Sequence, residues 1–164
     1  MSQAAPAGVG TQAPDFTLKD AEGRDWSLSS RRGHTVVLLF YPRDETPVCT
    51  RQLCSVRDHW GDYEATGAEV VAVSADSVES HRKFAAHHHL PLRLLSDPGA
   101  EVARAYGVAS WVPGRAARAV VVIDARGRVS YRRVQPVSLL RPKDEEVLAA
   151  IRAAGGGGTA ADRP

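Results

Sequence analysis

The sequence predicts an α/β fold, in which helices flank a largely buried β-sheet. Two continuous apolar segments, "TVVLLFY" and "AEVVAVSA", have the composition of strands that are buried on both faces. Each of them leads into a segment whose apolar residues have helical spacing. Near the end of the chain, "AVVVID" and "RVSYRRV" are separated by "ARG", which is typical of a β-hairpin.

The predicted elements follow in this order. A strand at residues 35–41 leads to a helix that begins near Pro47 and continues into residues 58–64. A second strand at residues 68–75 precedes the helix "SVESHRKFAAHHH", and "LRLLSD" and "AEVARAYG" predict a short strand and a short helix. The hairpin at residues 119–134 is followed by "PKDEEVLAAIRAA", a closing helix with acidic residues in its first turn. This order predicts a thioredoxin-like fold with a central mixed sheet.

Composition predicts one domain. The 164 residues are 43% hydrophobic and 24% charged, which is ordinary for a globular protein that buries a core without disulfides. We expect a flexible lead at residues 1–12 and the domain at residues 13–154. The glycine-rich residues 155–164 offer little to pack, so we expect a disordered tail.

Charge and hydropathy exclude several classes of partner. The net charge of +2 does not indicate nucleic acid or an anionic membrane surface. No apolar stretch approaches the roughly 18 residues that cross a bilayer. The first residues, "MSQAAPAGVGTQAP", lack the pattern of a secretory signal. We therefore expect a cytoplasmic protein, in a compartment where close cysteines are more often catalytic or metal-binding than structural.

Both cysteines of the chain lie in "YPRDETPVCTRQLC". Thr46 is a good N-cap residue, and Pro47 suits the first position of a helix. Cys49 then lies in the first turn, where backbone N–H groups without helical partners favour a thiolate over a thiol. A buried cysteine is by default a small hydrophobic residue, but this position makes Cys49 a candidate nucleophile.

Cys54 follows five positions later. In a regular helix the two Cα atoms would be about 8.6 Å apart, whereas a disulfide requires less than about 7 Å. A bond between Cys49 and Cys54 therefore requires the first turns to unwind, which indicates a switch rather than a structural cross-link.

A zinc site is not predicted, and we expect no metal. Structural zinc needs about four ligands, usually with C-x₂₋₄-C spacing and a second pair elsewhere, whereas the spacing here is C-x₄-C without a second pair. His87, His88 and His89 offer imidazoles, but consecutive helical residues point in different directions. We interpret this run as a solvated helix end. A thioredoxin-type dithiol is also disfavoured, because it uses C-x-x-C.

The segment "FYPRDETPVCTRQLC" resembles the active site of the peroxiredoxins, whose motif is P-x-x-x-T-x-x-C. Pro42, Thr46 and Cys49 match its fixed positions, and a second cysteine five residues later is the pattern of the bacterioferritin comigratory protein subgroup, also called peroxiredoxin Q. The likeness continues through "APDFTLKDAEGRDWSLS", "VVAVSADSVESHRKFA", "LPLRLLSDP" and "RAVVVIDARG". It covers about residues 13–154.

The resemblance implies a thioredoxin-dependent peroxidase that reduces hydrogen peroxide and organic hydroperoxides. Cys49 would be the peroxidatic cysteine, which becomes a sulfenic acid, and Cys54 the resolving cysteine, which forms an intramolecular disulfide with it. Thioredoxin or a similar dithiol would restore both thiols. The resemblance implies no cofactor and a monomer, with a weak dimer left open.

It also implies roles for residues around Cys49. The Thr46 hydroxyl and the backbone N–H of Cys49 would hydrogen-bond the peroxide oxygens. Arg118 would hold the thiolate and polarise the peroxide, with Arg115 as the second choice. The expected substrate-pocket residues are Pro42, Pro47 and Val48.

Other interpretations stay open. A thiol–disulfide oxidoreductase of the same fold would tolerate replacement of Thr46 or Arg118, and a redox-sensing or metal-binding module would pass oxidation to a partner protein. Trp111, in the segment 109–117, either lines the substrate mouth or caps the core, and we favour the second. Glu45 is expected to be a solvated loop residue.

Overall fold

The computed structural model describes residues 8–135 and 143–156. They form a mixed seven-stranded sheet in the order β2-β1-β5-β4-β3-β6-β7, flanked by helices. The strands are β1 (Thr17–Asp20), β2 (Asp25–Ser27), β3 (Val36–Phe40), β4 (Glu69–Ser74), β5 (Arg93–Ser96), β6 (Ala119–Ile123) and β7 (Val129–Val134). The helices are α1 (Pro47–Asp58), α2 (Trp60–Ala65), α3 (Val78–His88), α4 (Glu101–Ala105) and α5 (Asp144–Ile151). The predicted α/β class is confirmed.

The central strands are apolar throughout because both faces of the sheet are covered. Every residue of β3 and β6 is buried. In β3, Leu38 and Phe40 pack in one core cluster with Tyr106, while Leu39 packs in a second cluster with Leu53. Alternate side chains thus enter opposite cores, so neither face needs polar residues.

The pairing of β3 positions the later parts of the chain around the start of α1. β3 runs parallel to β4 and antiparallel to β6, with Phe40 opposite Ala119. The residue before Ala119 therefore lies beside the carboxyl end of β3, where the chain turns into α1. This register brings Arg118 next to the segment that carries Cys49.

Two features differ from the sequence-based expectation. β1 and β2 form an antiparallel hairpin at one edge of the sheet that was not predicted. They have only four and three residues and include the charged pair Lys19 and Asp25, so their apolar pattern is too short to recognise. The helix predicted from Pro47 to residue 64 is divided at His59 into α1 and α2.

The first residue of α5 joins this helix to the rest of the domain. The carboxylate of Asp144 accepts a hydrogen bond from the Ser55 hydroxyl of α1 and one of 2.5 Å from the Tyr63 hydroxyl of α2. It also lies 3.4 Å from Nδ1 of His59. An acidic side chain in the first turn is favourable because the amino end of a helix carries partial positive charge.

The expected domain boundaries stay a prediction. Residues 1–7 of the expected lead, Pro142 and residues 157–164 of the expected tail lie outside the described residues. Within the lead, the backbone of Gly10 and Thr11 hydrogen-bonds to Val129 in β7. Among residues 8–135 and 143–156, no helix is long and apolar enough to span a membrane.

Candidate active site

Cys49 lies in the first turn of α1, as predicted. Thr46 precedes the helix with extended backbone angles, and Pro47 is its first residue. The Cys49 side chain is fully buried, in the core cluster that includes Leu39 of β3 and Leu53 of α1. Its thiol therefore lies between the positive end of a helix and the end of a buried strand.

Thr46 occupies the N-cap position but does not make the side-chain cap hydrogen bond that was expected. Its hydroxyl instead donates to the backbone carbonyl of Arg43 at 2.9 Å, because the turn before the helix brings that carbonyl within reach. A hydroxyl has one proton and two lone pairs. With the proton directed at Arg43, the oxygen of Thr46 remains an acceptor.

Arg118 meets Cys49 directly. Its Nη1 donates to Sγ of Cys49 at 3.2 Å and to Oε1 of Gln52 at 2.8 Å, and the residue is only 2% exposed. A buried guanidinium is costly unless it is hydrogen-bonded and its charge is compensated. Arg115 lines a surface depression with Pro42 and Arg43. Of the two candidate arginines, Arg118 is therefore the one with an observed hydrogen bond to Cys49.

Gln52 was missed by the sequence reasoning. It lies three residues after Cys49, one turn along the same face of α1, and is 3% exposed. Its amide oxygen accepts from the guanidinium of Arg118, so it helps to fix that group against Sγ. The feature of the sequence that could have identified Gln52 is its position three residues after Cys49, on the same face of a predicted helix.

The three expected pocket residues differ in exposure. Val48 is buried, Pro42 is partly buried and Pro47 is exposed. A surface cavity of about 690 Å³ lies elsewhere, between Trp60 of α2 and Arg93 of β5. We do not assign that cavity to the chemistry of Cys49, because neither cysteine lines it.

Both cysteines are reduced thiols in this structure. Cys54 is partly buried, and it lies with Cys49 in the uninterrupted helix α1. The structure therefore describes the state in which the two thiols are held apart by regular helix.

A buried polar network anchors the loop between β3 and α1. The carboxylate of Asp44 accepts from the hydroxyl of Tyr41 at 2.5 Å and lies 2.8 Å from Nδ1 of His81 in α3. Nε2 of His81 is 3.0 Å from the carbonyl of Leu95. Burial, followed by the negative charge of Asp44, raises the pKa of Tyr41 well above its usual value, so its hydroxyl remains a donor.

The next residue of the loop, Glu45, contacts α3 from the surface. Its carboxylate lies 3.1 Å from Nδ1 of His87 and 3.0 Å from Nε2 of His88. Partial desolvation acts to raise the pKa of Glu45, but hydrogen bonds with His88 and His87 outweigh it and hold the pKa below its usual value. The backbone of Glu45 is left-handed, with φ of 63°, a conformation that costs a residue with a Cβ roughly 1–2 kcal/mol.

Residues 87–89 end α3, as predicted. Two of them nevertheless converge, because Nδ1 of His87 and Nε2 of His88 face the same carboxylate. Trp111 does not cap the core, because it is 92% exposed. Glu45 is exposed, as predicted.

Comparison with known proteins shows which family the chain resembles. The model of the AhpC/TSA family matches residues 9–132. Peroxiredoxin Q, chloroplastic, of Triticum aestivum is 46% identical over 126 residues, which cover 74% of this chain and 57% of that protein. The protein of the same name from Sedum lineare is 49% identical over 124 residues, which cover 73% of this chain and 65% of that protein. The chain thus spans about three fifths of the length of these relatives.

Among solved structures, peroxidoxin BcpB of Mycobacterium tuberculosis superposes with a TM-score of 0.81 at 31% sequence identity. The alignment covers 90% of this chain and 97% of that one. This likeness confirms the predicted thioredoxin-like fold of the peroxiredoxin type.

The expected cytoplasmic location is wrong on this evidence. It was based on the lack of an export pattern, whereas the curated relatives from Triticum aestivum and Sedum lineare are named as chloroplastic proteins.

The family match covers most of the chain, and BcpB is matched over nearly its whole length. The resemblance seen around Cys49 is therefore confirmed: the chain belongs to the AhpC/TSA family, as a peroxiredoxin of the peroxiredoxin Q type.

Proposed function

We propose that the chain is a thiol peroxidase that reduces hydrogen peroxide and organic hydroperoxides at Cys49. The observation that carries this proposal is the 3.2 Å contact between Nη1 of Arg118 and Sγ of Cys49 inside the core. A fixed positive charge at this distance favours the thiolate, which is the nucleophilic form of cysteine. The amino end of α1 acts in the same direction.

In the first step, the thiolate attacks one peroxide oxygen. The S–O bond forms as the O–O bond breaks, and the departing alkoxide or hydroxide takes a proton and leaves as alcohol or water. Cys49 becomes a sulfenic acid, oxidised by two electrons. Negative charge grows on the leaving oxygen, so donors fixed beside it lower the barrier. Arg118 and the backbone N–H of Cys49 are the donors we assign to this role.

We assign Thr46 a different role from the one first expected. Its hydroxyl proton is directed at the carbonyl of Arg43, so its oxygen is placed to accept the O–H of a hydroperoxide rather than to donate to it. We propose that Thr46 orients the substrate in this way. Pro42, Pro47 and Val48 form the walls of the pocket, and Pro42 shields the thiolate from water.

In the second step, the thiol of Cys54 attacks Sγ of the sulfenic acid. The S–S bond forms as the S–O bond breaks, and water leaves. Because both residues lie in α1, the turns between Pro47 and Cys54 must unwind before their sulfurs meet. An external dithiol, thioredoxin or a similar protein, then reduces the disulfide and is itself oxidised.

The reductant and the assembly are part of this proposal. We propose that the chain acts as a monomer and needs no cofactor, nucleic acid or membrane. The +2 net charge supports the exclusion of nucleic acid.

A coupled peroxidase assay tests the proposal. Purified chain, thioredoxin, thioredoxin reductase and NADPH are mixed with hydrogen peroxide, and the oxidation of NADPH is followed. We expect turnover by the wild type and none by Cys49→Ser. Activity of Cys49→Ser at the wild-type rate would contradict the proposal. Turnover of a model disulfide without peroxide reduction would favour the thiol–disulfide oxidoreductase instead.

A further inference from the structure

We propose that Glu45, His87 and His88 form an exchangeable site for a divalent transition-metal ion, with Zn²⁺ as the best match, that clamps the loop before α1 to the end of α3. One ligand atom of each residue lies within 4.8 Å of those of the other two. The ligands come from two elements, the loop between β3 and α1 and the last turn of α3.

The distances already suit an ion. Ligand atoms about 2.0–2.2 Å from a tetrahedral zinc lie about 3.3–3.6 Å from each other. The carboxylate oxygens of Glu45 lie 3.1–3.3 Å from Nδ1 of His87, and Oε1 lies 3.0 Å from Nε2 of His88. The three ligand atoms lie within 4.8 Å of one another, so small side-chain shifts bring them to the spacing that an ion requires.

The chemistry of the donor set selects the ion. Two imidazoles and a carboxylate suit zinc and other late first-row metals, whereas Mg²⁺ and Ca²⁺ prefer sites built of oxygen alone. Three protein ligands leave a fourth position for water, and the partial exposure of the cluster gives that water access. The two rings also contact each other, with centroids 4.1 Å apart and an angle of 35° between their planes, so the nitrogens are already close together before an ion binds.

The site is connected to both ends of α1. Glu45 immediately precedes Thr46, the residue before α1. At the other end of the helix, Nη1 of Arg57 donates to the backbone carbonyl of His88 at 2.7 Å. A bound ion would therefore strengthen the existing attachment of the loop before α1 to α3, which now consists of hydrogen bonds. The binding does not depend on the proposed function.

Calorimetric titration with Zn²⁺ tests the site. The chain is used without an affinity tag and with both thiols removed as Cys49→Ser/Cys54→Ser, so that zinc cannot bind sulfur. We expect one saturable zinc per chain. In the same background, Glu45→Gln, His87→Ala and His88→Ala should each weaken binding by about tenfold or more.

The third histidine of the run supplies the matched control. His89 lies outside the cluster and has left-handed backbone angles that asparagine tolerates, so His89→Asn should bind zinc like its parent. Absence of saturable binding to the thiol-free chain would overturn the proposal. So would binding that survives all three ligand substitutions, or binding that is lost in His89→Asn. Thermal unfolding of each variant shows that a loss of binding is not a loss of fold.

Amide hydrogen exchange tests the clamp. In the thiol-free chain, zinc should slow exchange at residues 43–50, and His87→Ala should abolish that effect. Unchanged exchange on saturation with zinc would refute the clamp. Because these measurements use no peroxide, their failure leaves the peroxidase proposal intact, and failure of the peroxidase assay leaves the metal site intact.

Discussion

Replacing Arg118 with methionine removes the positive charge beside Cys49 and keeps a side chain of similar length. The variant loses the hydrogen bonds from Nη1 to Sγ of Cys49 and to Oε1 of Gln52. A hydrogen bond that involves a charged group contributes about 1.5–3 kcal/mol. Because the proposed contact between Arg118 and the leaving oxygen forms only in the transition state, its loss slows the reaction by about 10- to 150-fold, at about 1.4 kcal/mol per factor of ten.

The rate of reaction with peroxide is measured by stopped-flow tryptophan fluorescence on fully reduced protein. The slope of the observed rate against hydrogen peroxide concentration gives the second-order rate constant for the Cys49 step. We expect a decrease of 10- to 150-fold in Arg118→Met, with thermal unfolding recorded to show that the variant is folded.

Arg115→Met is the matched control. Arg115 lies three residues before Arg118 and lines a surface depression rather than contacting the buried thiol, so its rate constant should stay within about twofold of the wild type. A folded Arg118→Met variant within twofold of the wild type would refute the assignment. A slow Arg115→Met variant beside a fast Arg118→Met variant would transfer the role to Arg115.

Three further changes have distinct outcomes. Cys54→Ser should leave the reaction with peroxide intact but let the sulfenic acid proceed to sulfinic acid, seen as a product about 32 Da heavier; a product at the unmodified mass would contradict it. Tyr41→Phe leaves the buried carboxylate of Asp44 with one donor fewer, so urea denaturation should show a loss of about 1–3 kcal/mol, and unchanged stability would disprove this. The pKa of His59 is raised above its usual value of 6.5, mainly by a hydrogen bond with the backbone carbonyl of Ser55. The free energy of unfolding of the wild type should therefore exceed that of His59→Gln by its full amount below pH 6.5. This difference should be lost as the pH rises through the higher pKa of folded His59, and a pH-independent difference would contradict the prediction.

The sequence predicted the parts of the fold in which one physical signal dominates. β3 and β4 are long apolar segments because both of their faces are covered, and the turn at Gly127 requires a φ of +87° that glycine adopts readily. The hairpin of β1 and β2 was missed because strands of four and three residues carry too short a pattern. Its strand β1 pairs with β5, a contact between distant segments that no local pattern reveals.

The candidate site was predictable only in part. The position of Cys49 followed from Thr46 and Pro47, which mark the start of a helix in the sequence. Arg118 came from the family resemblance alone, because 69 residues separate it from Cys49 and only the register of β3 and β6 brings them together. Gln52 was missed because the sequence does not distinguish a buried glutamine from an exposed one.

The contacts of the loop before α1 could not be predicted from the sequence either. Asp44 and His81 are ordinary polar residues in the sequence, and their partnership depends on how α3 packs beside the end of β3. The convergence of His87 and His88 on Glu45 depends on which ring nitrogen each presents, a side-chain property that helical spacing does not describe.

The intact mass of the fully reduced chain after one equivalent of hydrogen peroxide shows whether Cys49 and Cys54 act as a pair. We predict a product about 2 Da lighter, in which digestion locates a disulfide between Cys49 and Cys54. A product about 16 or 32 Da heavier would show that Cys49 reacts but that Cys54 does not resolve it. An unchanged mass would refute the proposed peroxidase, because it would mean that the buried thiol beside Arg118 does not react with peroxide.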